Sequence, residues 1–221
     1  MTISKEVRPR GRPRGFDPEE AVALAQELFH ARGYDGVSVA DLTTALGIKA
    51  PSFYAAFGSK LGLYQRVIER YGGTDAIPLA QLLRPDRPVA ECLAAVLEDA
   101  ARRYAAHPAA TGCLVLEGTH CNDRVAREAA AAQRNAAERA IHDYIAARHP
   151  AEAERLTDFM ATTMTGLSAR ARSGQEVERL LETARLGAAA ISEVLRGGEA
   201  PPAGAAAGRA ATRQRPAAPR A

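Results

Sequence analysis

Apolar positions recur every three to four residues along most of this chain, and the interruptions between such stretches predict nine helices. Asp17-Pro18-Glu19-Glu20 opens the first: Asp17 is suited to cap, Pro18 to the first helical position, and Glu20 sits three residues on as in a capping box. Val22, Leu24, Ala25, Leu28 and Phe29 continue the stripe to Arg32, and Gly33 stops it. Ser38-Val39-Ala40-Asp41 reads as a second capping box, opening a short helix through Leu42 to Leu46 that breaks at Gly47. A third helix spans about Ala50 to Phe57, and a fourth, capped by Ser59, runs through Leu61, Tyr64, Val67 and Ile68 to Tyr71. Gly72-Gly73 is expected to interrupt the chain. Further helices are expected over Pro88–His107, about Gly112–His120, and Asp123–His149, the last ended by Pro150. Leu156, Phe159, Met160, Thr163, Met164 and Leu167 mark the eighth, broken at Ser173-Gly174. Val177, Leu180, Leu181, Ala184, Ala188, Ile191 and Leu195 line one face of the ninth.

Composition agrees with an all-α fold. Alanine, the strongest intrinsic helix former, supplies nearly half of the 47% hydrophobic fraction, which argues against a β-sandwich or barrel. No apolar run approaches the roughly 18 residues of a membrane span, and no apolar segment follows the basic N-terminus as in a secretory signal. Cys92, Cys113 and Cys121 do not make a disulfide framework. A cytoplasmic protein is expected, without membrane attachment. Eight of the eleven aromatics precede residue 72, which predicts a small aromatic core and then a larger one of Ala, Leu, Val, Ile and Met. The net charge of +3 is unevenly spread. Lys5, Arg8, Arg10, Arg12 and Arg14 form a cationic N-terminal arm, and the last 25 residues are an Ala/Pro/Gly/Arg tail without periodicity. The organisation expected is a basic arm at 1–14, a small helical head at 15–71, a larger body at 72–196 and a tail at 197–221.

The second and third helices, joined at Leu46-Gly47-Ile48, match a helix-turn-helix. A helix that enters the major groove needs small residues for close approach and a few donors for base edges. The outside of the third helix offers Lys49, Ala50, Pro51, Ser52, Tyr54, Ala55 and Ala56. Lys49 and Ser52 are the donors near its start, and Ala50, Pro51, Ala55 and Ala56 suit thymine methyls. Tyr54 and Lys60 are candidate phosphate contacts, as is Ser38 at a helix N-terminus. The competing readings are core packing for Tyr54 and a solvated side chain for Lys60.

The chain resembles the TetR/AcrR family of bacterial one-component regulators. The resemblance is carried by Gly11-Arg12-Pro13-Arg14, by Ala25 through Gly36, by Ser38-Val39-Ala40-Asp41-Leu42, by Gly47-Ile48, and by Ser52-Phe53-Tyr54-Ala55-Ala56-Phe57-Gly58-Ser59-Lys60. It covers about residues 10–71. It implies a three-helix DNA-binding domain, a linking fourth helix, and a helical regulatory domain that binds an effector and dimerises through its last two helices. A homodimeric transcriptional repressor is the expectation, bound to a palindromic double-stranded DNA operator and released by a small-molecule effector of unspecified identity. Ala55 and Ala56 stand where many relatives carry bulky side chains, so direct readout is expected to be thin. More of the affinity then falls to phosphate contacts and to Arg10-Gly11-Arg12-Pro13, which is similar to the minor-groove core of an AT-hook.

For the body, Leu156, Met164, Leu167, Leu181, Ala184, Ala188, Ile191 and Leu195 are the candidate dimer interface, and two such helix pairs would make a four-helix bundle. The alternative buries these faces within one subunit. Tyr104, His107, Leu116, His120, Tyr144, Phe159 and Met160 are the candidate effector pocket. Cys113 and Cys121 suggest a thiol- or metal-responsive variant of the same regulator, against the commoner fate of buried apolar cysteine. No cofactor or metal is expected. An all-α enzyme would have to rely on His107, Glu117, His120 and Cys121, which form no catalytic pattern. A non-specific DNA-coating protein is the third reading.

Overall fold

The computed structural model describes residues 17–197, and every regular element among them is helical. In chain order these are α1 (Pro18–Arg32), α2 (Val39–Ala45), α3 (Ala50–Phe57), α4 (Lys60–Thr74), α5 (Leu79–Leu82), α6 (Val89–Ala105), α7 (Leu114–Gly118), α8 (Arg124–Ala146), a 3-10 turn at Pro150–Glu152, α9 (Ala153–Arg172) and α10 (Val177–Gly197). The nine expected helices are present. The additions, α5 and the 3-10 turn, are a single turn each and too short to show periodicity. The basic arm, with Arg10, Arg12 and Arg14, and the tail lie outside the described residues.

Local chemistry sets most of the starts. Asp17 accepts from the Glu19 amide at 2.9 Å, although Glu20 does not make the return bond of a box. The Ser38–Asp41 box is complete: the Ser38 hydroxyl accepts from the Asp41 amide at 3.1 Å, and the Asp41 carboxylate accepts from the Ser38 amide at 2.8 Å. The Ser38 hydroxyl, which also donates to the Asp41 carboxylate at 2.5 Å, then the Ser38 amide and the Arg32 guanidinium at 3.3 Å, hold the Asp41 carboxyl down at about 2. Three expected boundaries move. α4 runs through Gly72-Gly73 to Thr74; Gly72 does not break the helix, and the Gln133 carboxamide of α8 packs into the space that a Cβ there would take. α7 covers only Leu114–Gly118. α8 ends at Ala146, and Pro150 starts the 3-10 turn instead of closing the helix.

Two cores form. The first holds Val22, Phe29, Tyr34, Leu42, Phe53, Phe57, Leu63, Tyr64, Val67 and Tyr71, but it also takes in Leu114, Val115, Cys121, Ala126 and Ala130 of α7, α8 and their link. Tyr64 is at its centre. Its ring meets Phe29 edge-on at 5.1 Å and Tyr34 at 4.8 Å. The second core joins α6, the end of α8, α9 and α10 through Leu93, Leu97, Tyr104, Ile145, Met160 and Leu180. α6 packs against both α9 and α10. Polar links cross between the head (α1–α4) and the later helices. The Tyr34 hydroxyl donates to Asp123 at 3.3 Å, the Asn122 amide to Asp35 at 2.8 Å, and an Arg172 guanidinium nitrogen to the His30 carbonyl at 3.0 Å.

Two outcomes follow from this packing. A Cβ at Gly118 would strike the Tyr64 hydroxyl and lie 2.8 Å from the Ala130 methyl. Gly118→Ala is therefore expected to cost roughly 1–3 kcal/mol, seen as a lower urea midpoint. Asp41 has a folded-state pKa of about 2, below its ordinary 3.8. Its share of stability is thus present above the higher value and is lost as pH falls toward the lower one. Asp41→Asn should shrink the acid-induced loss of stability between about pH 4 and pH 2, measured by denaturant titration at each pH.

Candidate nucleic-acid interface and the cavity behind it

The α2–α3 pair is built as a turn with a buried inner side. Gly47 adopts φ 63°, a left-handed conformation that glycine takes at no steric cost. Its amide donates to the Thr44 carbonyl at 3.2 Å, and the Ile48 amide to Thr43 at 3.1 Å. Phe53 and Phe57, one turn apart, anchor α3 to the first core. The opposite face is bare: Lys49, Ala50, Pro51, Ser52 and Ala55 are exposed, and Tyr54 is 51% exposed, its ring resting edge-on against Phe53 at 5.5 Å. Ala56 does not belong to this face; it is half-buried against the first core. Lys49 sits at the N-cap of α3 with no capping side-chain bond, so its charge and the positive end of the helix dipole point the same way. Thr44, exposed at the end of α2, joins this surface, and its position beside the turn was the signal that sequence reasoning passed over.

Two candidate phosphate contacts are already engaged. The Ser38 hydroxyl is committed to the capping box with Asp41. Lys60 is turned inward: its ammonium donates to the Tyr34 and Val37 carbonyls, each at 3.0 Å, and lies 4.0 Å from the centre of the Tyr34 ring. An ammonium with two carbonyls and a ring face around it is a structural clamp on the α1–α2 loop. The solvated side chain weighed as the alternative for Lys60 is not what the structure shows.

Behind the head lies a cavity of about 230 Å³. α4 contributes Tyr71 and Gly72, α6 contributes Tyr104, α7 Val115 and Leu116, α8 Gln133, Ala137 and Ile141, and α9 Thr157 and Met164, with Cys113 at the start of α7. Of the candidate pocket residues, Tyr104 and Leu116 line it. The others sit elsewhere. Met160 is buried in the second core, and Phe159 is on the outer face of α9. Tyr144 donates to the Arg84 carbonyl at 2.7 Å under the Arg148 guanidinium, and His120 is exposed after α7. His107 lines a second, more polar cavity of about 460 Å³ with His30, Gln26, Arg70, Asp75 and Arg103, between α1 and α6. Burial pushes the His30 imidazole below its ordinary value. Its Nε2 lies 3.0 Å from the Gly112 carbonyl and so must carry the proton.

Cys113 and Cys121 have different surroundings. Cys113 meets the Tyr71 hydroxyl at 3.7 Å, whereas Cys121 lies in the first core with its thiol donating to the Asp123 carbonyl at 3.5 Å. Burial pushes the Cys121 thiol up, away from the thiolate. Among the described residues no three His, Cys, Asp or Glu side chains converge to hold a metal ion, and no helix is long and apolar enough to cross a membrane.

The candidate dimer residues are mostly internal. Leu156, Leu167, Ala184, Ile191 and Leu195 are buried in the second core, Leu181 and Ala188 are half-buried, and Met164 faces the 230 Å³ cavity. α6 covers the stripes that seemed to need a partner: a Cβ at Gly187 would sit 3.2 Å from Leu97. What α9 and α10 leave outside is Phe159, 38% exposed, and Leu186, 74% exposed, beside the small residues Gly166, Ala189 and Ala190.

Residues 21–67 match the family model described as "Bacterial regulatory proteins, tetR family". The chain is 54% identical over 195 residues to the HTH-type transcriptional repressor BdcR of Escherichia coli (strain K12), covering 88% of this chain and 99% of that one. It is 30% identical over 194 residues to the HTH-type transcriptional repressor ComR of the same organism, covering 80% and 90%. In three dimensions it is similar to a cysteine mutant of the TetR family transcriptional regulator CifR complexed with 26-bp double-strand operator DNA. The TM-score there is 0.75 at 32% identity, covering 81% of this chain and 99% of that one. The α2–turn–α3 geometry, the match over the head and the near full-length likeness to a named repressor agree: this chain belongs to the TetR family of bacterial regulatory proteins.

Proposed function

We propose that the chain is a homodimeric transcriptional repressor that binds a palindromic operator and is released by a small molecule in the 230 Å³ cavity. The observation that carries this reading is the bare outer face of α3, held out by Phe53 and Phe57. Its small side chains let the helix backbone approach base edges and thymine methyls, while Lys49 and Ser52 supply donors and Tyr54 reaches toward phosphate. The basic arm, with Arg10, Arg12 and Arg14, adds counterion-releasing contacts in the adjacent minor groove.

A palindrome requires two heads one helical turn apart, about 34–36 Å. The outer face of α9 and α10 around Phe159 and Leu186 supplies the apolar surface for pairing. Coupling runs through α4: Tyr71 and Gly72 line the cavity, while Leu63, Tyr64 and Val67 of the same helix sit in the head's core. A ligand that fits one position of α4 better than another shifts the spacing of the two heads, and so the affinity for DNA.

The direct test is a mobility shift on DNA upstream of the chain's own gene, at stated salt. A specific shift over scrambled DNA is expected; equal binding to both would reject the proposal in favour of non-specific coating. Leu186→Glu should sediment as a monomer and lose at least about tenfold in operator affinity, since the second head no longer binds at high effective concentration. Lys49 and Lys60 separate charge from structure. Lys49→Ala should reduce the salt slope of binding by about one. Lys60→Ala should leave that slope unchanged and cost about 1–3 kcal/mol of stability, because it removes two charged hydrogen bonds. Interchanged results would contradict the clamp.

A further inference from the structure

The cavity behind the head has a definite chemistry. At about 230 Å³ it is larger than the roughly 150 Å³ space that accepts benzene, so a fused pair of rings or a short branched chain fits. Its walls are mainly aliphatic, from Ile77, Val115, Leu116, Ile141 and Met164, with the Tyr71 and Tyr104 rings beside them. Each charge at its edge is already neutralised. Arg134 lies 3.5 Å from the Glu138 carboxylate and donates to Asn135 at 2.9 Å. The Thr157 hydroxyl donates to the Ala153 carbonyl at 2.7 Å, and the Tyr71 hydroxyl to Cys113.

Among the described residues that line this cavity, the Tyr104 hydroxyl is directed to Cys113, whereas Gln133, half-buried, makes no hydrogen bond to another residue. Its carboxamide is packed against α4, where a Cβ on Gly72 would collide with the amide nitrogen. α4 therefore makes room for a donor-acceptor group at the cavity wall and leaves that group unfilled. A carboxylate placed here would find no free cation and would face Glu138; an ammonium would find Glu138 already paired. Either would give up part of its hydration at the apolar walls without a free partner to replace it.

We propose, resting on the reading of this cavity as the effector site, that it takes an uncharged, largely apolar molecule of about ten to twelve heavy atoms whose single hydrogen-bonding group is received by Gln133.

The test is calorimetric titration of the full-length protein with three naphthalenes substituted at the same position, 2-naphthol, 2-methylnaphthalene and 2-naphthoate, with the slightly larger neutral methyl 2-naphthyl ketone as the size control for the carboxylate. In the native chain 2-naphthol should bind at least about tenfold more tightly than 2-naphthoate, and the ketone should also bind more tightly than 2-naphthoate. Gln133→Leu should weaken 2-naphthol by about five- to tenfold and leave 2-methylnaphthalene unchanged, which also shows that the variant is folded. Ala137→Phe, which fills the space, should abolish binding of 2-naphthol and 2-methylnaphthalene. The proposal is overturned if 2-naphthoate binds as tightly as 2-naphthol or the ketone, if neither 2-naphthol nor 2-methylnaphthalene binds up to its solubility, or if Gln133→Leu leaves 2-naphthol unaffected. Operator affinity with bound 2-naphthol is a separate readout. Binding with no change in DNA affinity would support the ligand class and overturn the effector reading.

Discussion

The Tyr64 ring is the contact on which the rest of the molecule depends. It is 1% exposed, with the Phe29 and Tyr34 rings of the head on one side and Gly118 and Ala130 of the later helices on the other. An aromatic side chain buried between two groups of helices contributes a large apolar area to both. It also leaves α4 no way to move without repacking one of them. A core at crystal-like density responds to a ligand by switching between packings, not by yielding smoothly. That property suits the proposed steering of the head from a cavity about two turns of α4 away: Tyr71, near the far end of the same helix, lines that cavity.

Much of the head was legible because its signals are local. Asp17, Ser38 and Ser59 cap as their side chains dictate, and Phe53 and Phe57 fall on one face of α3 by spacing alone. The errors arose where a residue's role depends on a distant neighbour. Gly72 has the composition of a break and the function of a close approach, decided by Gln133 some sixty positions on. Lys60 looks like a free cation until the Tyr34 and Val37 carbonyls are placed around it. The stripes on α9 and α10 say that they must be covered. They do not say by what, and α6 covers them from inside the subunit. The cavity was hardest to foresee, since it arises where small residues, Ala136, Ala137 and Ala161, face larger apolar ones and leave volume between them. Periodicity records which side of a helix is apolar, not how well that side is filled.

Alanine thus has three separate uses here. On α3 it keeps the outer face low, on α8 and α9 it leaves the volume of the cavity, and at Ala100, Ala126, Ala130 and Ala184 it brings helices close together within the cores. The polar chemistry is complementary. Charges near the cavity and the α1–α2 loop are paired or clamped, and Lys49 at the start of α3 is left in the open.

The central claim is that the head and the α7–α8 part of the body share the first core through α4, so that neither opens alone. Native-state hydrogen exchange over a denaturant series tests it most directly, by comparing amides of α1 and α4 with those of α7 and the first half of α8. The account predicts one common opening free energy and one denaturant dependence for both groups. Exchange of the α1 and α4 amides through a lower-energy opening, with α7 and α8 still protected, would contradict it.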